Sequence, residues 1–176
     1  MATYTHFAKQ PDVLKHLILC EVLKNETPQI YVETNSACAI YPMTQTPEQQ
    51  YGIYHFLEKA DEVPSLKDSI YYQLESGEMA KGNYLGSPAL AMNTLAERTS
   101  QYLFFDIEKD ALENIESYAK QVKLESHIQT CQNGSSRPAE TAVPDLSKRH
   151  PKKIENIHTE TIQSEKSPSV RPAPAA

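Results

Sequence analysis

The sequence predicts an α/β fold with a doubly wound, mostly parallel sheet. Two apolar runs rich in β-branched and aromatic residues, at 29–33 and 101–106, have the composition of buried strands and end in an acid, Glu33 and Asp106. A clear helical pattern over 109–120 follows the second run. In such sheets a ligand lies beyond the carboxyl ends of the strands, so the two acids are the first candidates for a binding site.

A helix is predicted over 12–24, ahead of the first strand. Its apolar residues recur at helical spacing, Pro11 and Asp12 suit its start, and Pro28 follows its end. His16 lies beside the apolar stripe of this helix. Two interpretations of His16 stay open: a partly exposed helical histidine, or a residue that contacts a ligand.

The loop after the first strand, residues 34–39, is a turn of small residues. Small residues at this place allow a ligand to approach the backbone closely, and Ala37 and Ala39 stand where glycines are usual. An ordinary buried strand and loop is the alternative interpretation. Because burial of an unpaired carboxylate is costly, we expect Glu33 to face a helix N-terminus or a ligand.

A long connection separates the first two strands. Residues 45–83 exceed a plain crossover in length and predict a helical insertion with loops. A turn over 83–88 follows and leads into a helix, with Ser87 at the N-cap and Pro88 at the first helical position. A hydroxyl at a helix start suits an anionic group, and a plain cap is the alternative.

A third short strand is predicted over 126–131 and is followed by Asn133 and Gly134. Polar side chains therefore follow all three predicted strands. In doubly wound sheets, the acid at the end of the second strand is where nucleoside cofactors have their ribose hydroxyls bound, and Asp106 has that place.

The charge of the chain is uneven. Its 176 residues suit one domain of ordinary size. Residues 1–134 carry 10 Lys+Arg against 18 Asp+Glu, a net charge of -8, whereas residues 135–176 carry 7 against 5, a net charge of +2. The acidic part creates no overall field that attracts nucleic acid.

Residues 135–176 hold too little apolar surface to offset the entropy of ordering, so a disordered tail is predicted. Its basic cluster at 148–153 is interpreted as a solvated segment.

The cysteines and the apolar runs indicate in which cellular compartment the protein is expected. Cys20, Cys38 and Cys131 are far apart and odd in number, which favours reduced thiols over a zinc site or a disulfide. The sequence has no apolar run of the length that spans a membrane, and its first residues lack a signal-peptide core. We therefore expect a cytoplasmic protein with no membrane partner and no metal.

Several of these stretches occur in the order and at the spacing of one enzyme family. They are residues 6–16 with Asp-Val-Leu-Lys-His, the strand and loop over 31–41, Tyr-Leu-Gly-Ser-Pro over 84–88, Phe-Asp at 105–106 and Asn-Gly at 133–134. They resemble the bacterial S-adenosylmethionine-dependent methyltransferases that modify adenine N6 in 23S ribosomal RNA. The resemblance covers residues 4–134. It implies a Rossmann-like core with a helical insertion after the first strand, S-adenosylmethionine as cofactor, and ribosomal RNA as partner.

The resemblance also implies the residues that bind the cofactor: His16, Asn35, Ser87, Asp106, Asn133 and Gly134. Asp106 matches the acid that binds the ribose, and Asn133 with Gly134 matches an Asp-Gly pair that positions the adenine. Asn35 takes the place of a histidine. Ala37 and Ala39 replace two glycines of the family, and their methyl groups are expected to obstruct close approach of the methionine part.

The catalytic stretch of the family, Asp-Pro-Pro-Tyr, does not occur in the sequence, so no catalytic residue is assigned. Pro144-Asp145-Leu146 is no substitute, because no apolar strand precedes it and no aromatic residue follows it. The remaining strands that complete the sheet in the family are missing too. We therefore expect a truncated member of the family with an incomplete sheet, inactive alone. Two alternatives stay open. One is a non-catalytic module that binds S-adenosylmethionine or another nucleotide, and the other is an interaction scaffold whose tail recruits a partner. The half-sheet would also leave an apolar edge exposed, which predicts poor solubility or a protein partner that covers the edge.

Overall fold

A three-stranded parallel sheet forms the centre of the computed structural model, which describes residues 4–132. Its strands are β1 (Ile30–Glu33), β4 (Gln101–Asp106) and β5 (Ile128–Gln132). β4 lies in the middle and pairs in parallel with both neighbours. Because parallel strands end at the same edge of a sheet, Glu33 and Asp106 lie at one edge. The predicted α/β class with a parallel sheet is confirmed.

A second, two-stranded sheet joins the two ends of the long connection. β2 (Ile40–Pro42) and β3 (Asn83–Leu85) pair antiparallel, with Tyr41 opposite Tyr84. The turn predicted over 83–88 is therefore wrong for its first three residues, which form β3. Both strands contain only three residues, and each is formed by pairing with a partner some forty residues away rather than by a local pattern.

Three helices form much of the core around the sheet. α1 (Gln10–Lys24) packs against α6 (Ser87–Leu95), and α6 in turn packs against α7 (Lys109–Gln121). α6 is apolar on most of its surface and almost wholly buried. α7 is amphipathic, and its buried residues are Ala111, Leu112, Ile115, Tyr118 and Ala119, which confirms the predicted apolar face.

The connection between β2 and β3 is helical. It contains α2 (Pro47–Gln49), a π-helical segment (Gln50–Tyr54), α3 (His55–Glu62), α4 (Pro64–Lys67) and α5 (Ile70–Met79). Gly52 lies against the segment that precedes α1, where an added Cβ would approach the Ala8 carbonyl oxygen to 2.1 Å. The Ile53 N–H donates to the same oxygen at 3.1 Å. Only glycine allows this close approach, which anchors the helices on the start of the chain.

The boundaries of the other predicted elements shift by one or two residues. β1 begins one residue later than predicted, α1 begins two residues earlier, and β5 lies at Ile128–Gln132 rather than 126–131. The predicted disordered tail at 135–176, together with Asn133 and Gly134, lies outside the described residues. Across residues 4–132, no helix combines the length and the apolar composition that crossing a bilayer requires.

Candidate functional site

A small cleft of about 110 Å³ opens beside the carboxyl end of β1. Its walls come from the segment before α1, from α1 itself, from the loop after β1 and from the start of α6. The polar residues that line it include Asp12, Lys15, His16, Asn35, Ser36 and Ser87. Three of these, His16, Asn35 and Ser87, were predicted to bind a cofactor, and the fold brings them to one place.

Asp106 ties the end of β4 to the loop after β1. Its side chain is buried, and its Oδ2 accepts a hydrogen bond of 2.8 Å from the Ala37 N–H. Its Oδ1 accepts from the Tyr4 hydroxyl at 2.8 Å and from the Glu108 N–H at 2.9 Å. The carboxylate therefore has three protein donors and lies at the edge of the sheet, immediately behind the cleft wall.

Ala37 adopts a backbone conformation that favours glycine. Its φ is +52°, in the left-handed region, and the residue lines the cleft. Ala39 differs, because it is fully buried behind the cleft. Its N–H donates to Asn114 Oδ1 at 2.8 Å, and its carbonyl accepts from the Gly86 N–H at 2.8 Å. Of the two alanines at positions where the sequence pattern leads one to expect glycine, only Ala37 both faces the cleft and has a strained backbone.

Glu33 meets a helix start, as expected. Ser87 is the first residue of α6, and its hydroxyl donates a hydrogen bond to Glu33 Oε1. The Tyr31 hydroxyl donates to Glu33 Oε2 at 3.3 Å. Burial raises the pKa of Glu33 to about 7, although both hydrogen bonds and the nearby Lys15 cation act to lower it.

The prediction that Ser87 is the N-cap of α6 is wrong. Gly86 has the extended backbone of the N-cap, and the Ser87 hydroxyl makes no cap hydrogen bond. Gly86 is required there, since an added Cβ would lie 2.0 Å from the Cys38 carbonyl oxygen. This packing moves the helix start back by one residue, which leaves the Ser87 hydroxyl to bind Glu33.

His16 is buried, so its interpretation as a partly exposed helical histidine is wrong. Its Nδ1 lies 2.9 Å from the Tyr84 hydroxyl, which in turn lies 3.4 Å from the Tyr71 hydroxyl. Burial lowers the pKa of His16 to about 4, with a smaller contribution from Lys15. The imidazole is therefore neutral at pH 7 and forms part of the cleft wall.

Other residues complete the cleft. Asn35 is exposed at its mouth. Lys15 lies 3.3 Å from Asp12 and supplies a cation near Glu33.

Two residues that shape the site, Ser36 and Tyr4, were not predicted from the sequence. The Ser36 hydroxyl donates to carbonyls at the ends of β1 and β4, at 3.0 and 3.2 Å, and no local pattern in the sequence signals such contacts.

Comparison with known proteins finds a protein of similar fold but no family to which this chain can be assigned. No family model and no curated protein matches this sequence. One solved structure with a similar fold is that of protein LPL1258 from Legionella pneumophila, described by the family model DUF519. The two align with a TM-score of 0.56 and 21% sequence identity. The alignment covers 71% of this chain and 48% of the Legionella chain, so this chain spans about half the length of that protein. The likeness supports the α/β fold and carries no statement of activity.

Proposed function

We propose that this chain binds S-adenosylmethionine, or the product S-adenosylhomocysteine, in the cleft beside β1 as part of a Rossmann-like fold. The observation that supports the proposal most strongly is the hydrogen bond from the Ala37 N–H to Asp106. It joins the small-residue loop after the first parallel strand to the acid after the second. This is the place where doubly wound folds bind the ribose and the remainder of a nucleoside cofactor.

The donor set of the cleft suits the parts of such a cofactor. Asp106, which lies behind the cleft wall, is the acceptor that we propose for the ribose hydroxyls. Ser87 and Lys15 line the cleft and offer a hydroxyl and a cation to the carboxylate of the amino-acid part. Asn35 adds an amide at the mouth. The free space of about 110 Å³ is smaller than the roughly 300–1,000 Å³ of typical ligand pockets. A ribose hydroxyl would therefore compete with the Tyr4 hydroxyl for Asp106 Oδ1. When bound, the cofactor would supply a methyl group on a sulfonium.

We further propose that the part of the chain that binds the cofactor is related to the ribosomal RNA adenine-N6 methyltransferases. Transfer of the methyl group to an adenine amino group needs groups that orient the base, and the sequence contains no Asp-Pro-Pro-Tyr stretch that would supply them. The residues of the cleft support binding of the cofactor, and a non-catalytic binding module is the form of the proposal that they favour.

Calorimetric titration of S-adenosylhomocysteine into the full chain tests the proposal. Asp106→Asn keeps the shape of the side chain and removes its charge, so we expect affinity to fall at least tenfold, the usual effect of a charge-assisted hydrogen bond. Asp68→Asn, an exposed acid in the helical connection, is the matched control and should bind as the wild type does. Circular dichroism checks that both variants fold. Absence of binding to a folded wild-type chain would refute the proposal.

A second candidate function, an interaction scaffold, is favoured by a separate surface. The α1 residues Leu14, Ile18 and Val22 are 59%, 55% and 53% exposed at a spacing of four residues, which gives the helix an apolar outer stripe. Val32 on β1 is 52% exposed, and within the described sheet β1 is paired on one side only. Sedimentation analysis discriminates this candidate. Association that is lost in Leu14→Gln with Ile18→Gln supports it, whereas a monodisperse monomer with a cooperative melt contradicts it.

A further inference from the structure

The side chain of Glu33 already accepts a hydrogen bond from the hydroxyl group that an anionic ligand in the cleft would need as a donor. Ser87 is the residue of α6 that presents a hydroxyl to the cleft, and that hydroxyl donates to Glu33 Oε1. The Tyr31 hydroxyl holds the second oxygen at 3.3 Å. A ligand carboxylate that takes the Ser87 hydroxyl must therefore displace one carboxylate oxygen and then lie close to the same negative charge.

The charged groups around Glu33 give that second carboxylate little compensation. Those that face it are Lys15 on α1, Asp106 on β4 and the Tyr31 phenol on its own strand. Lys15 is the cation of this set, and it already lies 3.3 Å from Asp12. His16 on α1 is neutral at pH 7, and α6 contains no charged residue. Two carboxylates close together in a half-buried site rarely stay ionised at once, because each disfavours the charge of the other.

We propose that a ligand bearing a carboxylate binds this cleft together with one proton, which Glu33 takes up from solvent. This inference rests on the proposed function. No covalent bond forms or breaks other than the O–H bond of the Glu33 carboxyl group. Protonation removes the negative charge and gives the carboxyl group an O–H donor, while its other oxygen remains an acceptor. The neutral group competes less strongly for the Ser87 hydroxyl and can donate a hydrogen bond to the incoming carboxylate.

Because binding of a carboxylate is coupled to uptake of a proton, the pH dependence of the affinity should differ between ligands that have a carboxylate and ligands that lack one. S-Adenosylhomocysteine has an α-carboxylate, whereas 5′-methylthioadenosine has the same nucleoside and thioether without the amino-acid part. With the pKa of free Glu33 at about 7, the protonated fraction falls about tenfold between pH 6 and pH 8. We expect the affinity for S-adenosylhomocysteine to fall by the same factor over this range, while that for 5′-methylthioadenosine changes less than twofold.

Calorimetry in two buffers of different ionisation enthalpy, such as phosphate and Tris at pH 7.5, counts the protons directly. We expect uptake of about three quarters of a proton with S-adenosylhomocysteine, which is the ionised fraction of a group whose pKa is about 7, and almost none with 5′-methylthioadenosine. In Glu33→Gln, which keeps the shape of the side chain, uptake should vanish and the affinity should become independent of pH.

The outcomes separate the two proposals. Equal proton uptake with both ligands, uptake that persists in Glu33→Gln, or release of a proton would overturn the role of Glu33 while leaving nucleoside binding intact. A folded chain that binds neither ligand would overturn the proposed function, and the role of Glu33 with it. The comparison of the two ligands on the wild-type chain needs no variant, so a Glu33→Gln chain that fails to fold leaves the test decisive.

Discussion

The replacement Glu33→Gln has a predicted effect on the pH dependence of folding. Burial raises the pKa of Glu33 to about 7 from the ordinary value of 4.5. The folded state therefore binds a proton more tightly than the unfolded state. The stability that this carboxyl contributes is fully present below about pH 4.5 and is lost as the pH rises through about 7.

The magnitude follows from the two pKa values. They differ by about 2.5 pH units, and at 1.36 kcal/mol for each unit the free energy involved is about 3 kcal/mol. His16 acts in the opposite direction, because burial lowers its pKa to about 4 from 6.5. Its contribution is present above pH 6.5 and is lost as the pH falls through about 4. Between about pH 4.5 and 6.5 the pH dependences of the two contributions nearly cancel in the wild type, so their sum stays almost constant.

Urea unfolding of the wild type and Glu33→Gln at half-unit steps from pH 4.5 to 8 measures this balance. The variant should gain stability relative to the wild type by up to about 3 kcal/mol as the pH rises from 4.5 to 7.5, since glutamine has no charge to bury. Glu125→Gln, an exposed acid, is the control and should show no such trend. A difference between Glu33→Gln and the wild type that stays within about 0.5 kcal/mol across this range would refute the reasoning, because such a difference is that of an ordinary surface change.

Three further replacements test the packing around the cleft loop, at the start of α6 and at the end of α1. Ala37→Gly should stabilise the chain by about 0.5–1 kcal/mol in urea unfolding, because relief of the left-handed strain exceeds the entropy cost of glycine; a net loss would contradict the strain. Gly86→Ala should lower the melting temperature severely or prevent folding, since its Cβ would lie 2.0 Å from a backbone oxygen, whereas Gly77→Ala in α5 meets nothing within 4 Å and should stabilise by about 0.5–1 kcal/mol. Equal melting temperatures for these two variants would count against the close packing at Gly86. Arg98→Met should cost about 1–2 kcal/mol, because the guanidinium binds the carbonyls of Leu23 and Lys24 at the end of α1; an unchanged urea midpoint would show that water replaces those bonds at no cost.

The sequence predicts the long elements well and the short ones poorly. The second strand of the parallel sheet has its predicted bounds, 101–106, because the apolar and aromatic run Tyr-Leu-Phe-Phe over 102–105 leaves few alternatives. β2 and β3 contain three residues each and form only when the helical connection brings them together, so no local period marks them. The start of α6 was misplaced by one residue because the close contact of Gly86 with Cys38 is a tertiary constraint.

The residues of the site likewise fall into some that the sequence predicted and others that depend on contacts far apart in the chain. The acids at the strand ends were predicted from position alone, since parallel strands deliver their ends to one edge. The contact between Tyr4 and Asp106 spans 102 residues, and no spacing rule connects them. His16 was placed correctly on its helix, but its burial depends on Tyr84 from the distant β3, which the helical pattern of α1 does not reveal.

Hydrogen–deuterium exchange of the full chain, with and without saturating S-adenosylhomocysteine, tests most directly where the nucleoside binds. If it lies at the ends of β1 and β4, exchange should slow in peptides that cover residues 34–38, 85–88 and 106–108, and should stay unchanged across the helical connection at 55–79. Protection confined to the helical connection or to the outer stripe of α1, with these three segments unchanged, would contradict a nucleoside site at the carboxyl ends of the parallel strands.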